Sequence, residues 1–456
     1  MNKRGLFGAG VLVWAAAMVG AGEKDARVLT YPNGAGLATT YNAAGAIDLN
    51  NAFFQDLGSN KRTCASCHQP DSAWSITPAN VERRFLKTLG GDAIFRNNDG
   101  SNCEGAIATT VAEKRAAYSL LLTRGLIRVG LDAPPNAEFV IESVSDPYHC
   151  TGGTTAVSVY RRPLPSVNLP FISAVMWDGR ESSPSSLIQH DLLNQANDAT
   201  RGHAAGLRDL TVEEAQQIVS FETALFTTQS RDQTAGALDA RGASGGPQSL
   251  AGQQFYIGIN DPVGLNPTGT AFDPRAFTLF NAWNEWTGND SVSARRSAIV
   301  RGQEIFNTKP IVISGVSGLN GQTFSNGVTV PDTIVGTCTV CHDSPNAGNH
   351  SVKAPLNIGL TDPDVAPYLP VYTLLNKTTG HRVQTTDPGR ALISGKWNDI
   401  GRFKGPVLRA LSSRAPYFHN GAAATLDEVV DFYERRFGIG LTAQERADLL
   451  AFLRAL

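Results

Sequence analysis

Cys64-Ala-Ser-Cys67-His68 decides how this chain is read, and the pattern returns as Cys338-Thr-Val-Cys341-His342. C-x-x-C-H is the attachment signature of a c-type haem. The spacing has a chemical reason. Two thiols three residues apart lie on one turn, where each can add to a vinyl group on the same porphyrin edge. The histidine that follows then turns its imidazole to the iron as proximal ligand. Chance placement of 6 Cys and 8 His in 456 residues gives such a match only about 0.001 times, so its repetition is a strong signal. The competing reading is a zinc site built from both C-x-x-C pairs. It accounts for neither adjacent histidine and has to close a very long loop. The expectation is two covalently bound c-type haems, one on Cys64, Cys67 and His68, the other on Cys338, Cys341 and His342.

The N-terminus agrees with that chemistry. Asn2-Lys3-Arg4 precedes the apolar run LFGAGVLVWAAAMVGA, and charge returns at Glu23. This reads as a secretory signal peptide over 1–21 with cleavage after Ala21. A retained membrane anchor is the alternative, but the run is short for a bilayer span. The mature protein is therefore expected in the periplasm, without a membrane span, where c-type haem is attached. Net charge is -2, which leaves no nucleic-acid footprint. Four cysteines belong to the haem motifs. Cys103 and Cys150 remain, both in polar turn-like segments, and an oxidising compartment favours a disulfide between them over two free thiols. After signal cleavage Met176 is the only methionine left, so His/Met ligation has one candidate.

Helical periodicity appears over 111–130 and at LTVEEAQQIVSFETAL (210–225), where Thr211 and Glu214 form a capping box. FVIESV and TAVSVY read as short strands. The closing LTAQERADLLAFLRAL echoes 210–225, and His419-Asn-Gly421 echoes Trp177-Asp-Gly179. With one haem motif per half, these echoes favour an internal duplication. The expected fold is mainly α: two cytochrome c-like haem domains, 22–290 and 291–456, with long loops and a few short strands.

The ordered set of motifs resembles the bacterial di-haem cytochrome c peroxidases and their MauG relatives. The motifs are the two C-x-x-C-H sequences, W-D-G-R at Trp177–Arg180, R-G-x-x-x-F at Arg301–Phe306, D-P-G-R at Asp387–Arg390, A-P-Y-F-H-N-G at Ala415–Gly421 and the closing L-T-x-x-E helix. Segments at about 95–160 and 311–336 look additional to the basic pattern. The resemblance implies an exported, mainly helical protein with one haem per domain. The N-terminal haem reacts with hydrogen peroxide and the C-terminal haem is a low-spin electron relay. Trp177 takes the place of the tryptophan between them, and His419 falls near the inter-haem region. Electrons come from a small cytochrome c or cupredoxin, or from an oxidisable residue on a protein substrate.

The chain departs from that pattern in several places. No histidine lies between His68 and His149, so the distal histidine of the peroxidases has no counterpart. Tyr433 stands where the peroxidases place a methionine ligand to the second haem, and MauG-like members use tyrosine there. Phenolate is a hard anionic donor; the alternative is that Tyr433 packs with Leu426, Val429, Val430 and Phe437. No glutamate lies between Glu181 and Glu213, where the family's acid/base is expected. The segment offers Asp191, Gln195, Asp198 and His203 instead, of which Asp198 and His203 are the candidates for proton transfer in peroxide cleavage. The resemblance allows a bound calcium, but Pro163 stands in place of the family's asparagine and has no side-chain oxygen to offer a cation, so the sequence does not support it. The alternative function is a di-haem electron-transfer cytochrome without peroxidase activity.

Overall fold

The computed structural model describes residues 26–150, 156–183, 187–285 and 288–456. The signal-peptide reading therefore lies outside the described residues. Described helices account for 31% of the structure and strands for 17%, so the architecture is mixed rather than mainly α. The excess of strand has local causes. Residues 28–42 form an antiparallel hairpin. Val28–Asn33 pairs with Gly36–Asn42, which in turn pairs with Leu225–Asp232. The helical period over 111–130 also breaks. Val111–Ala117 and Ser119–Arg124 are helices, Gly125 caps the second in the left-handed region, and Ile127–Asp132 is a strand. β-branched and alternating Ile-Arg-Val-Gly-Leu fits a pleated surface better than a helix.

The strand-like runs are where the sequence places them, as Phe139–Ser145 and Ala156–Arg161. Their partners are long-range. Ala156–Arg161 pairs with Ile127–Asp132, and Phe139–Ser145 pairs with Val371–Asn376 far along the chain. The 95–160 segment is thus sewn into the C-terminal half. Cys103 and Cys150 are disulfide-bonded within it, with Cα atoms 5.3 Å apart. On the chain-entropy account such a bridge is worth about 4 kcal/mol.

The two echoing helices end the corresponding stretches of the fold. Val212–Thr223 carries a capping box at Thr211 and Glu214, and Ala443–Ala455 carries one at Thr442 and Glu445. Each satisfies two orphan backbone donors reciprocally. Ala443–Ala455 lies along Ser291–Thr308, and R-G-x-x-x-F explains how. Gly302 lets the helices close up, because a Cβ there would stand 2.0 Å from the Asp448 carbonyl oxygen. Arg301 grips Asp448 bidentately at 2.7 and 2.8 Å. Phe306 enters a core with Phe277, Phe280, Trp283 and Phe452. A second core gathers Phe53, Trp74, Phe171, Ile218, Phe221 and Leu225.

Candidate haem sites

Each C-x-x-C-H motif folds as a 3-10 turn, Cys64–Ser66 and Cys338–Val340, with the histidine just beyond it. The His68 Nδ1–H donates to the Trp74 carbonyl at 3.0 Å, and the His342 Nδ1–H donates to the Gly348 carbonyl at 2.7 Å. Both acceptors lie six residues on. That bond fixes the tautomer and leaves Nε2 with its lone pair, as an iron ligand requires. Burial lowers the His68 pKa to about 4 and that of His342 below its ordinary value, keeping both rings neutral. A phenylalanine backs each ring: Phe53 at 6.3 Å from His68 and Phe306 at 5.9 Å from His342. Those phenylalanines pack in turn on Phe221 and Phe452, which occupy the same offset in the two echoing helices.

Cys64 and Cys67 line a cavity of about 200 Å³ together with His68, Met176, Trp177, Gln195, His203 and Glu222. Burial holds the Cys64 and Cys67 thiols above their ordinary pKa and pushes those of Cys338 and Cys341 up to about 12. Neutral sulfur beside a neutral, oriented imidazole suits thioether attachment in an apolar slot. Among the described residues no group of three or more His, Cys, Asp or Glu is arranged to hold a metal ion. The two C-x-x-C pairs therefore do not converge into a zinc site, and the donor set fits iron carried by a porphyrin.

The two surroundings differ. Cys338 and Cys341 border an apolar cluster of Ile311, Ile313, Val316, Leu319, Val330 and Ile439, against which Tyr433, Leu356 and Phe437 pack. Tyr433 stacks on Phe437, ring centroids 6.1 Å apart, and its hydroxyl makes no hydrogen bond among the described residues. Burial raises its pKa, with the two cysteines adding to the effect. Met176 belongs to the first cavity.

Trp177 lines the first cavity and donates its indole N–H to the Arg162 carbonyl at 2.8 Å. Its ring meets that of His419 edge-on at 6.1 Å, and His419 stacks on Phe403 at 4.0 Å. Phe403 and Leu356 exchange backbone hydrogen bonds, and Leu356 packs into the second cluster. Ring contacts from Trp177 to Phe403, followed by the backbone pairing of Phe403 with Leu356, thus lead from the first cavity to the second cluster. His419 is buried with neither ring nitrogen hydrogen-bonded, and burial lowers its pKa to about 4.

The motifs beside this path lock together through a residue the sequence reading did not single out. Arg161 is buried and holds Asp387 of D-P-G-R bidentately at 2.7 and 2.9 Å, while its third nitrogen binds Asp178 of W-D-G-R at 2.5 Å. Arg390 returns the clasp by donating to the Asp178 and Gly179 carbonyls. Gly389 has φ +57° and passes the Arg402 carbonyl so closely that a Cβ would stand 2.7 Å from it.

The two acid/base candidates separate. Asp198 is exposed on the Ile188–His203 helix and does not border the cavity. His203, at the end of that helix, does border it, and its Nδ1–H donates to Asp99 at 2.5 Å. Asp99 is buried beside Arg62. Burial opposes its charge, but the hydrogen bonds and charges of His203 and Arg62 hold its pKa below the ordinary value. Asp99 and Glu222 also escaped the sequence reading. Glu222 is buried, and desolvation raises it to about 8. His350 is buried 3.5 Å from Asp343, whereas His149, His190 and His381 are exposed.

The two Cys-Cys-His turns, each with an oriented histidine, have the donor set of c-type haem attachment, and the chain has named relatives. No family model matches the chain. It is 37% identical over 139 residues to cytochrome-c peroxidase IdrP1 of Denitromonas iodatirespirans, a match covering 26% of this chain and 36% of that protein. It is 33% identical over 141 residues to IdrP1 of Pseudomonas sp. (strain SCT), and 28% identical over 120 residues to cytochrome c551 peroxidase of Nitrosomonas europaea. The match thus spans about a third of the length of these curated relatives. Among solved structures, a MauG-like protein associated with microbial copper homeostasis aligns over 89% of this chain and 86% of its own, at 16% identity and a TM-score of 0.39. The relatives matched over this stretch are named cytochrome-c peroxidases and a cytochrome c551 peroxidase.

Proposed function

We propose that the protein is an exported di-haem oxidoreductase that reduces hydrogen peroxide at the Cys64-Cys67-His68 site and draws electrons through the Cys338-Cys341-His342 site. Bound haem would supply iron for peroxide reduction at the first site and for electron transfer at the second. The chain's own residues supply the rest. His68 and His342 present Nε2 to the iron. His203, oriented by Asp99, is the group suited to take a proton from one peroxide oxygen and return it to the other, the exchange that O–O cleavage needs. Asp198 is set aside because it faces solvent. Tyr433 brings to the second site a hydroxyl without a protein partner among the described residues, and it would help hold the haem iron there. Trp177, His419 and Phe403 connect the sites. The repeated Phe53–His68–Phe221 and Phe306–His342–Phe452 arrangements support an origin by internal duplication, with haem units over 22–290 and 291–456. The electron source is a small cytochrome c, a cupredoxin or an oxidisable protein substrate.

The observation that carries this reading is asymmetry: His203 and Asp99 border the cavity at the first site, whereas the cavity beside the second motif has no titratable residue on its wall among the described residues and Tyr433 packs against the adjoining apolar cluster. A plain electron carrier has no use for it. Electronic and EPR spectra of the ferric holoprotein test the reading. High-spin ferric haem that reacts with hydrogen peroxide is expected. A wholly low-spin protein inert to peroxide would make it an electron-transfer cytochrome.

A further inference from the structure

Three cations line the first cavity with no anion among the described residues to answer them. The other charges on its wall are accounted for. Arg62 pairs with Asp99, Arg161 with Asp178 and Asp387, and Arg180 with Asp178. Glu222, raised to about 8, is uncharged near neutral pH. Arg162, Lys404 and Arg414 also line the cavity, and none forms an ion pair among the described residues. Among the described residues the Arg162 guanidinium donates only to the carbonyls of Arg124, Ile76 and Arg414. The Lys404 ammonium donates to the Ala174 carbonyl at 2.8 Å and to nothing else. Arg414 donates one nitrogen to the Val407 and Arg409 carbonyls, and its Nε is buried without a partner.

Such an arrangement is costly by itself. Isolated buried charge is expensive, and like charges side by side make it worse. Arg162 and Arg414 repel one another, and burial holds all three groups below their ordinary pKa. A wall of unanswered cations is complementary to an anion that arrives later. A c-type haem carries one of matching chemistry: two propionate carboxylates on an edge other than the one that reaches the cysteines.

We propose that Arg162, Lys404 and Arg414 form a carboxylate-binding cradle for the propionates of the haem attached at Cys64 and Cys67. The proposal rests on the reading of that motif as a haem site. Its consequence is a cofactor shared between halves of the chain: thioethers from residues 64 and 67, carboxylate partners from residues 404 and 414. The cradle also brackets Trp177, whose indole N–H donates to the Arg162 carbonyl and whose own carbonyl accepts from the Lys404 backbone N–H at 2.9 Å. Charge balance in the cradle therefore acts on the residue that joins the sites.

The test uses resonance Raman spectra of holoprotein. Lys404→Gln and Arg414→Gln are each expected to shift the propionate bending bands. Lys404→Arg should restore them, and Lys87→Gln, at an exposed position, should leave them unmoved. Mass analysis of the peptide containing Cys64 and Cys67 runs alongside. Haem mass on that peptide with unshifted bands in either folded glutamine variant overturns the cradle alone. A wild-type peptide without haem mass overturns both the cradle and the haem reading beneath it.

Discussion

The rings of Trp177 and His419 meet edge to face, with centroids 6.1 Å apart, between the first cavity and Phe403. Neither residue has another polar task that competes for the ring face. His419 has both nitrogens unbonded, and the indole N–H is spent on a backbone carbonyl. If this contact couples the sites, peroxide added to wild-type protein changes the optical spectrum of both haems. Trp177→Phe should keep both haems attached and confine the change to one. Rapid-mixing spectra decide, and a Trp177→Phe protein in which both haems still respond assigns the coupling elsewhere.

Tyr433 offers a sharper test. Tyr433 is half-buried against the second cluster, and its hydroxyl has no hydrogen-bond partner among the described residues. Tyr433→Phe removes only that oxygen. The expected result is loss of the low-spin ferric signature with haem mass unchanged. An unaltered EPR spectrum would mean that Tyr433 merely packs on Phe437. Met176 is poorly placed to substitute, since it borders the other cavity.

His203 and Asp99 make a graded pair. General acid–base catalysis is typically worth 10²–10⁴-fold, so His203→Ala should slow the reaction with peroxide by about 10²-fold or more. Asp99→Asn keeps the ring but weakens its orientation and should cost less. Asp198→Asn, on the exposed face, should be neutral. Stopped-flow rates with the three variants rank them, and an Asp198 effect larger than that of His203 would reverse the assignment.

The sequence was most informative where chemistry is local. Cys-x-x-Cys-His is complete within one turn, and the Thr-x-x-Glu boxes cap the helices they precede. Helix and strand runs were legible by period wherever one period dominates. What failed depends on partners distant in the chain. Asp99 draws its meaning from His203, and Arg161 from Asp387, 226 residues away. The hairpin at 28–42 has a local signal in Asn33-Gly34, but its pairing with Leu225–Asp232 depends on residues nearly two hundred positions away. Asp198 and His203 share one helix and looked equivalent in sequence. Their different exposure comes from how that helix is seated.

Arg161 gives a stability prediction. It is buried, and it answers two buried carboxylates, Asp178 and Asp387. Removing one partner of a buried ion network leaves uncompensated charge and costs about 3–5 kcal/mol. Arg161→Met should therefore lower the denaturation midpoint sharply. Arg115→Met, whose partner Glu82 lies on the surface, should change it little. Chemical denaturation of the two variants measures the difference, and equal effects would remove Arg161 from its place as the clasp between W-D-G-R and D-P-G-R.

The final expectation concerns acid. Burial holds His419 near a pKa of about 4, against 6.5 for an unhindered imidazole. Between those values the unfolded chain takes up a proton that the folded chain refuses, so folding stability falls as pH drops. The contribution is complete above the unfolded value and lost progressively down to about pH 4. Two and a half pK units correspond to about 3 kcal/mol. Asp387, 3.9 Å from Nε2, offsets part of the desolvation without forming a hydrogen bond. His419→Gln cannot titrate. Its denaturation midpoint should vary less between pH 7 and pH 4 than that of wild type, whatever the variant costs at neutral pH. Parallel pH profiles for the two proteins would show that His419 is already protonated when folded, and that the stack on Phe403 tolerates a charged ring.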